Sequence, residues 1–239
     1  PPLFVMSHVE GDSFEPITGT DGPGPGPQAV EQRGLAAARA LARLHAVECG
    51  ISELEQERIF TLADEVGRWS RALATCDGDL HPPAIDRVEV LLRASFPAPL
   101  RPVITHGDYR LGNMLSTGGR ILAVIDWEIW SINDPRVDLG WFLTMSDPSR
   151  PDASGRETGM PQPARLAEEY QRAWGAPVPD PAWFAGLARF KEVAVLSLII
   201  KHARRSDTPN ERVVSFAARI PRLLELAIES LEHGRAWPW

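Results

Sequence analysis

Three polar side chains at a fixed spacing could do chemistry in this chain. Asp108 lies in the run His106-Gly107-Asp108-Tyr109-Arg110-Leu111-Gly112-Asn113, which puts Asn113 five residues on, and Asp126 follows in Val124-Ile125-Asp126-Trp127-Glu128. Phosphoryl transfer to an alcohol needs these group types. One carboxylate orients the hydroxyl and receives its proton, while an amide oxygen and a second carboxylate hold Mg²⁺ on the phosphates. Mg²⁺ keeps several water and phosphate ligands, so two protein oxygens suffice. Taken singly, Asp108 reads as a loop cap, Asn113 as a hairpin-entry turn residue and Asp126 as a strand-end cap. Their common register points to a site.

Short extended segments must position these groups. Val103-Ile104-Thr105 reads as a strand entering the His106 loop. Asn113–Ser116 and Ile121–Ile125 read as two short strands around Thr117-Gly118-Gly119-Arg120, which predicts a β-hairpin with Asp126 just past its second strand. The rest of the chain is helical in pattern. Residues 29–48 carry an Ala- and Leu-rich face, a second helix is expected from about Ser52 (with Glu55 as capping partner) to Ala74, and a third over Ala84–Ser95. Asp138 is expected to begin and cap a further helix, followed by helices at about 163–174, 181–204 and 209–233. Residues 3–9 read as a short strand leading into an extended segment. Residues 11–28 and 146–163, dense in Gly, Pro, Ser and Asp, read as loops, and the second of these as mobile. The Gly-Pro repeats at 22–27 are no phosphate cradle, because proline removes the N–H groups such a cradle needs. The fold class is therefore α+β, mostly helical, with a small hairpin at the cleft.

Composition narrows the function classes. A net charge of −7 over 239 residues argues against a nucleic-acid partner. The longest apolar run, Val193 to Ile200, is too short for a bilayer, and the start lacks the basic-then-apolar pattern of a signal peptide, so a cytoplasmic protein with no membrane role is expected. Cys49 and Cys76 fit no metal-ligand spacing and read as free thiols. Lys191 and Lys201 are the only lysines among 25 Lys and Arg residues.

The motifs in "HGDYRLGNML", "AVIDWE", "WSINDPRVDLGWF" and "LARLH" resemble those of the aminoglycoside phosphotransferase and choline-kinase-like family, which has a protein-kinase-like fold. The wording looks most like the branch associated with acyl-CoA dehydrogenases, some members of which phosphorylate hydroxyacyl-CoA. The resemblance implies a chain that is the C-terminal lobe of that fold. Residues 1–10 would be the hinge segment, 11–239 the helical lobe and 103–145 the catalytic core. It also implies that the N-terminal ATP lobe, with its phosphate-covering loop and lysine, is absent from the chain.

By the same resemblance, ATP and Mg²⁺ are the cofactors and a small-molecule hydroxyl compound is the acceptor: aminoglycoside-like, an amino alcohol or a hydroxyacyl-CoA. Asp108 would be catalytic, and Asn113 and Asp126 the metal ligands. Met6, Ser7 and His8 would line the adenine edge through backbone groups, with Leu115 and Ile125 as apolar contacts under the base. His106, Arg110, Glu128 and Asp138 would support the site, His106 by orienting the loop and Asp138 by bracing it. His45 reads as structural or solvated, Glu168-Glu169 as a solvated face, and the tryptophans mostly as core. Two rival functions remain: a non-catalytic kinase-fold binding or scaffold protein, and a metal-dependent hydrolase using His106, Asp108 and Asp126. The sequence does not specify oligomeric state.

Overall fold

The structure is a computed structural model that describes residues 7–17, 24–48, 54, 56–76, 78–150 and 157–236. The first helix, α1, spans Pro27–His45. Pro27 occupies a first-turn position, where its missing N–H costs nothing. Val30, Ala37, Ala38, Leu41 and Ala42 form its buried stripe. Helix α2 covers Leu62–Leu73 and α3 covers Ala84–Ala94.

The expected second helix thus begins about ten residues late. Its capping box is Thr61 with Asp64, the Thr61 hydroxyl accepting from Asp64 N at 3.1 Å and the Asp64 carboxylate from Thr61 N at 3.0 Å. The preceding backbone is committed elsewhere: Ile59 bridges Ile132, and Phe60 N donates to Ile132 O at 2.8 Å, a pairing that a helical turn cannot make. Ser52 and Glu55 lie outside the described residues.

Four short strands follow: β1 Val103–Thr105, β2 Met114–Thr117, β3 Arg120–Val124 and β4 Ser131–Asn133. β2 and β3 form the expected hairpin, and β1 pairs antiparallel with β4, which the sequence reading did not anticipate. Next come α4 Pro135–Met145, α5 Pro163–Trp174 and α6 Pro181–Arg204. Asp134, not Asp138, caps α4, its carboxylate accepting from Arg136 N at 3.0 Å. Asp138 lies one turn inside.

The single helix expected at 209–233 is three pieces: α7 Glu211–Ser215, a 3₁₀ turn Phe216–Arg219, and α8 Ile220–His233. Pro221 supplies the reason. It has no N–H to donate one turn back, so it tolerates only the start of a helix.

Two hydrophobic cores hold these elements. One gathers α2, α3, α6 and α8 around Val66, Leu92, Phe190, Val193 and Ile220. The other gathers α1, α5 and the hairpin around Leu41, Met114, Phe142, Leu166 and Tyr170. Helix α4 runs between them and is buried from Pro135 to Thr144, which suits a helix apolar on nearly every side. Its first turn reaches the His106 loop, so the most enclosed helix positions the polar cluster.

The segment before α1 lies along the hairpin. Asp12 and Ser116 exchange backbone hydrogen bonds at 2.9 Å each. Buried Arg33 clamps the segment, pairing with Asp12 at 2.6 Å and donating to Gly118 O at 2.6 Å. Of the strand expected over 3–9, residues 7–9 have no regular structure and the remainder lies outside the described residues. Among the described residues no helix is long and apolar enough to cross a membrane.

Candidate active site

The Asp108 carboxylate is held from both sides. Trp141 Nε1 donates to Oδ1 at 2.8 Å, Asn113 Nδ2 to Oδ2 at 2.8 Å, and Arg110 Nε to Oδ2 at 3.2 Å. Burial alone would push this carboxyl up. The Arg110 and Lys191 charges and the Trp141 and Asn113 hydrogen bonds outweigh that and hold it below the usual aspartate range. It is therefore ionised at neutral pH, fixed in direction and weakly basic. Such a group orients a hydroxyl well and takes its proton late.

Asn113 also donates from Nδ2 to Asp108 O at 2.9 Å, so both of its N–H groups go to Asp108. Its side-chain oxygen makes no hydrogen bond among the described residues and is available to a cation. Ile125 N donates to Asn113 O at 2.9 Å, and Met114 faces Val124 in the hairpin register. The open end of the hairpin thereby brings Asn113 beside Asp126. Asp126 is exposed and sits at φ +68, in the left-handed region that costs most side chains strain. An amide oxygen and an exposed carboxylate side by side suit Mg²⁺ with water and phosphate completing its shell. Among the described residues no cluster of three or more His, Cys, Asp or Glu could enclose a metal, which leaves the hydrolase reading without its ligand set.

His106 is wholly buried with both ring nitrogens occupied. Nε2–H donates to Ile125 O at 2.9 Å, which leaves Nδ1 to accept from Asp108 N at 3.1 Å. The ring is therefore neutral and ties the backbone of Asp108 to the residue before Asp126. It holds the loop to the hairpin, with no nitrogen left for proton transfer. Its ring packs at a tilt against Trp127, 4.5 Å between centroids.

Asp138 braces the loop from beneath. It is fully buried, and its carboxylate accepts from His106 N at 2.6 Å and Gly107 N at 2.8 Å. Burial would raise this carboxyl too, but the His45 ring and these two N–H groups keep it below its ordinary value. His45 Nε2 stands 3.6 Å from Asp138 Oδ2, and Nδ1 lies 2.7 Å from Tyr170 Oη. Burial pushes the Tyr170 hydroxyl far up, so it stays protonated and donates to Nδ1, turning the Nε2–H toward Asp138. His45 is thus structural rather than solvated. Glu169 departs from its expected solvated role: it is buried and pairs with Arg39 at 2.6 Å and with Arg172.

The remaining candidates divide. Arg110 bridges Asp108 and Glu15, 3.0 Å away. Leu115 and Ile125 are half-buried along the hairpin, and Ser7, His8 and Glu128 are exposed. Met6 lies outside the described residues. Of the tryptophans, Trp141 and Trp183 are buried whereas Trp130 is 37% exposed. Cys76 is a buried free thiol, and Cys49 is outside the described residues.

Three participants escaped the sequence reading: Glu15, Trp141 and Lys191. Lys191 is buried on α6, donates to Gly107 O, and places its ammonium 4.2 Å from the Trp141 ring centroid and 5.3 Å from that of Trp69. Burial lowers its pKa, partly countered by Glu65, Asp138 and Asp108. The available signals were the three-residue spacing of Trp141 from Asp138 on one helix face and a lysine in the apolar middle of a helix, where charge is rarely buried without partners.

Known proteins are similar to this chain. Acyl-CoA dehydrogenase family member 11 of Homo sapiens is 26% identical over 241 residues, and the match covers 95% of this chain but 30% of that protein. Member 10 of Mus musculus is 24% identical over 219 residues, covering 84% of this chain and 20% of that protein. The chain thus spans under a third of these relatives. Among solved structures, a Ralstonia eutropha JMP134 protein assigned as an aminoglycoside phosphotransferase superposes with a TM-score of 0.73 at 20% identity, covering 95% of this chain and 71% of that one. A spectinomycin phosphotransferase solved with ADP and spectinomycin gives 0.56 at 14% identity, covering 84% and 65%. The likeness establishes a kinase-like phosphotransferase fold. The model of the phosphotransferase enzyme family (APH) matches residues 1–187, so this chain belongs to that family.

Proposed function

We propose that this protein transfers the γ-phosphoryl group of MgATP to a hydroxyl of a small molecule. The observation that carries the reading is the clamped, ionised Asp108 whose partner Asn113 keeps an amide oxygen for the metal beside Asp126. The nucleotide would lie along the hairpin, with Leu115 and Ile125 under the base and the backbone of residues 6–8 at its edge. Asn113 and Asp126 would hold Mg²⁺, which when bound neutralises charge on the phosphates. Asp108 aims the acceptor oxygen along the line of displacement and receives its proton as the new P–O bond forms. The site's main contribution is position and charge, since a loose phosphoryl transition state asks for little covalent help.

The test is Asp108→Ala in the complete gene product. Turnover of MgATP against a panel of hydroxyl compounds should fall by roughly 10²–10⁴-fold, with MgADP affinity unchanged by calorimetry. Turnover equal to that of the parent protein would refute the reading.

A further inference from the structure

A cavity of about 790 Å³ opens between the end of α4, the middle of α6 and α8. It lies next to the catalytic loop along two helices. On α4, Trp141 touches Asp108, and Thr144, about one turn further, lines the cavity. On α6, Lys191 touches Gly107, and its neighbour Glu192 lines the cavity.

The charges around it are unevenly matched. Arg150 and Glu192 form a buried pair, with Nη1 at 3.1 Å from Oε2. Arg222 faces Glu225 at 3.0 Å and Glu229 at 3.4 Å. The Asp147 carboxylate accepts from Ser149 N at 2.8 Å and Ser149 Oγ at 2.6 Å.

Arg189 differs from these. It is 4% exposed, and its hydrogen bonds go to neutral groups through Nη1 alone, to Ser230 Oγ at 2.9 Å and Ala236 O at 3.1 Å. Those contacts steady the end of α8. They leave Nε and Nη2 without a hydrogen bond among the described residues, in a side chain that lines the cavity. Burial presses its pKa down to about 10, and the nearby charges of Glu192, Asp147 and Glu229 oppose that only in part. Arg235, exposed and in no ion pair among the described residues, adds a second positive group at the cavity wall.

We propose that this cavity binds an oxyanion, a phosphate or carboxylate carried by the hydroxyl acceptor, with Arg189 as its buried anchor and Arg235 as its outer partner. A planar guanidinium with donors on two adjacent nitrogens matches two oxygens of such a group. The inference rests on the proposed function and deepens it by naming an anionic acceptor class.

The test is calorimetric titration of the complete gene product, without nucleotide, using pyrophosphate, malonate and spermidine as probes. Pyrophosphate or malonate should bind, and whichever binds more tightly identifies the phosphate or carboxylate source. Arg189→Met should weaken that binding at least tenfold and Arg235→Glu several-fold, while Asp126→Asn leaves it unchanged. Arg235→Glu alters an exposed side chain and serves where Arg189→Met fails to fold. The proposal is overturned if neither anion binds, if spermidine binds here instead, if the folded variants bind like the parent, or if Asp126→Asn removes binding and so places the anion at the metal site. Anion binding that persists when no anionic alcohol is phosphorylated would count against the proposed transfer and leave the anion site standing.

Discussion

Replacing Asp138 with Asn should loosen the catalytic loop without touching a reacting group. In the folded protein the buried carboxylate accepts from two consecutive backbone N–H groups, His106 at 2.6 Å and Gly107 at 2.8 Å. An amide of the same shape keeps one acceptor and turns an NH₂ toward the other N–H. One charge-assisted hydrogen bond of about 1.5–3 kcal/mol is lost, and a buried donor left unpaired costs about 1–3 kcal/mol more. The expected destabilisation is therefore about 3–5 kcal/mol, in line with the cost of removing one partner from a buried charged cluster. For a chain of this length that is a fall in Tm of roughly 6–10 °C. Differential scanning calorimetry measures the total, and amide hydrogen exchange locates it, since His106 and Gly107 should lose protection. Asp134→Asn is the control. It breaks the buried pair with Arg136, 2.8 Å apart, and should cost stability without changing exchange at His106 and Gly107. A drop of under 2 °C, or unchanged exchange at those two amides in Asp138→Asn, would show that the brace is not what holds the loop.

Other perturbations separate strain, charge and positioning. Gly107→Ala should destabilise by at least about 1–3 kcal/mol in urea titration, because the position sits at φ +88 and an added Cβ would meet Ile129 O at 2.5 Å. Asp126→Gly should gain up to about 1 kcal/mol in the same experiment by relieving its positive φ, while MgADP affinity falls, the signature of strain kept for function. Lys191→Met removes the donor to Gly107 O and the cation over Trp141, and kcat should drop roughly 10–100-fold with the KM for MgATP little changed, whereas Lys191→Arg should recover part of the loss. Asp108 and Asp138 both titrate below ordinary aspartates, so the unfolded chain takes up their protons first as pH falls. The stability they contribute is complete above the unfolded range and is lost below about pH 4. Asp138→Asn should flatten that acid limb in a stability–pH series.

Legibility in the sequence followed the range of the interactions. The hairpin, α1 and α3 rest on local periodicity and turn residues, and their expected bounds lie within two or three residues of those observed. The start of α2 and the break before α8 depended on features that periodicity does not show. One was an extended pairing of Ile59–Phe60 with Ile132, more than seventy residues away, and the other a proline that interrupts an otherwise continuous apolar pattern. β4 was invisible because three residues carry no pattern of their own and exist only against β1. Asp108, Asn113 and Asp126 could be grouped because one loop and one hairpin bring them together. Glu15, Trp141 and Lys191 could not, since each arrives from a different part of the chain. Asp138 was recognised for bracing and misplaced as a cap, because two aspartates four residues apart compete for that role and Pro135 decides it for Asp134.

The long-range contacts also decide how the proposed catalytic loop could act. His106 has no ring nitrogen free, Asp138 is out of reach of any substrate, and Lys191 is buried behind Gly107. None can exchange a proton with an acceptor, yet each fixes a different atom of the loop: the Asp108 amide, the His106 and Gly107 amides, and the Gly107 carbonyl. With those fixed, the Asp108 side chain is free only to rotate, and Trp141 and Asn113 remove that freedom from its two oxygens. Trp141 and Lys191 stand on helices that continue into the arginine-lined cavity. On the proposed reading, a ligand seated there contacts the same two helices that hold the Asp108 loop. Acceptors too short to reach Arg189 should then lose kcat as well as affinity, because binding energy remote from the reacting oxygen is what such a geometry converts into alignment.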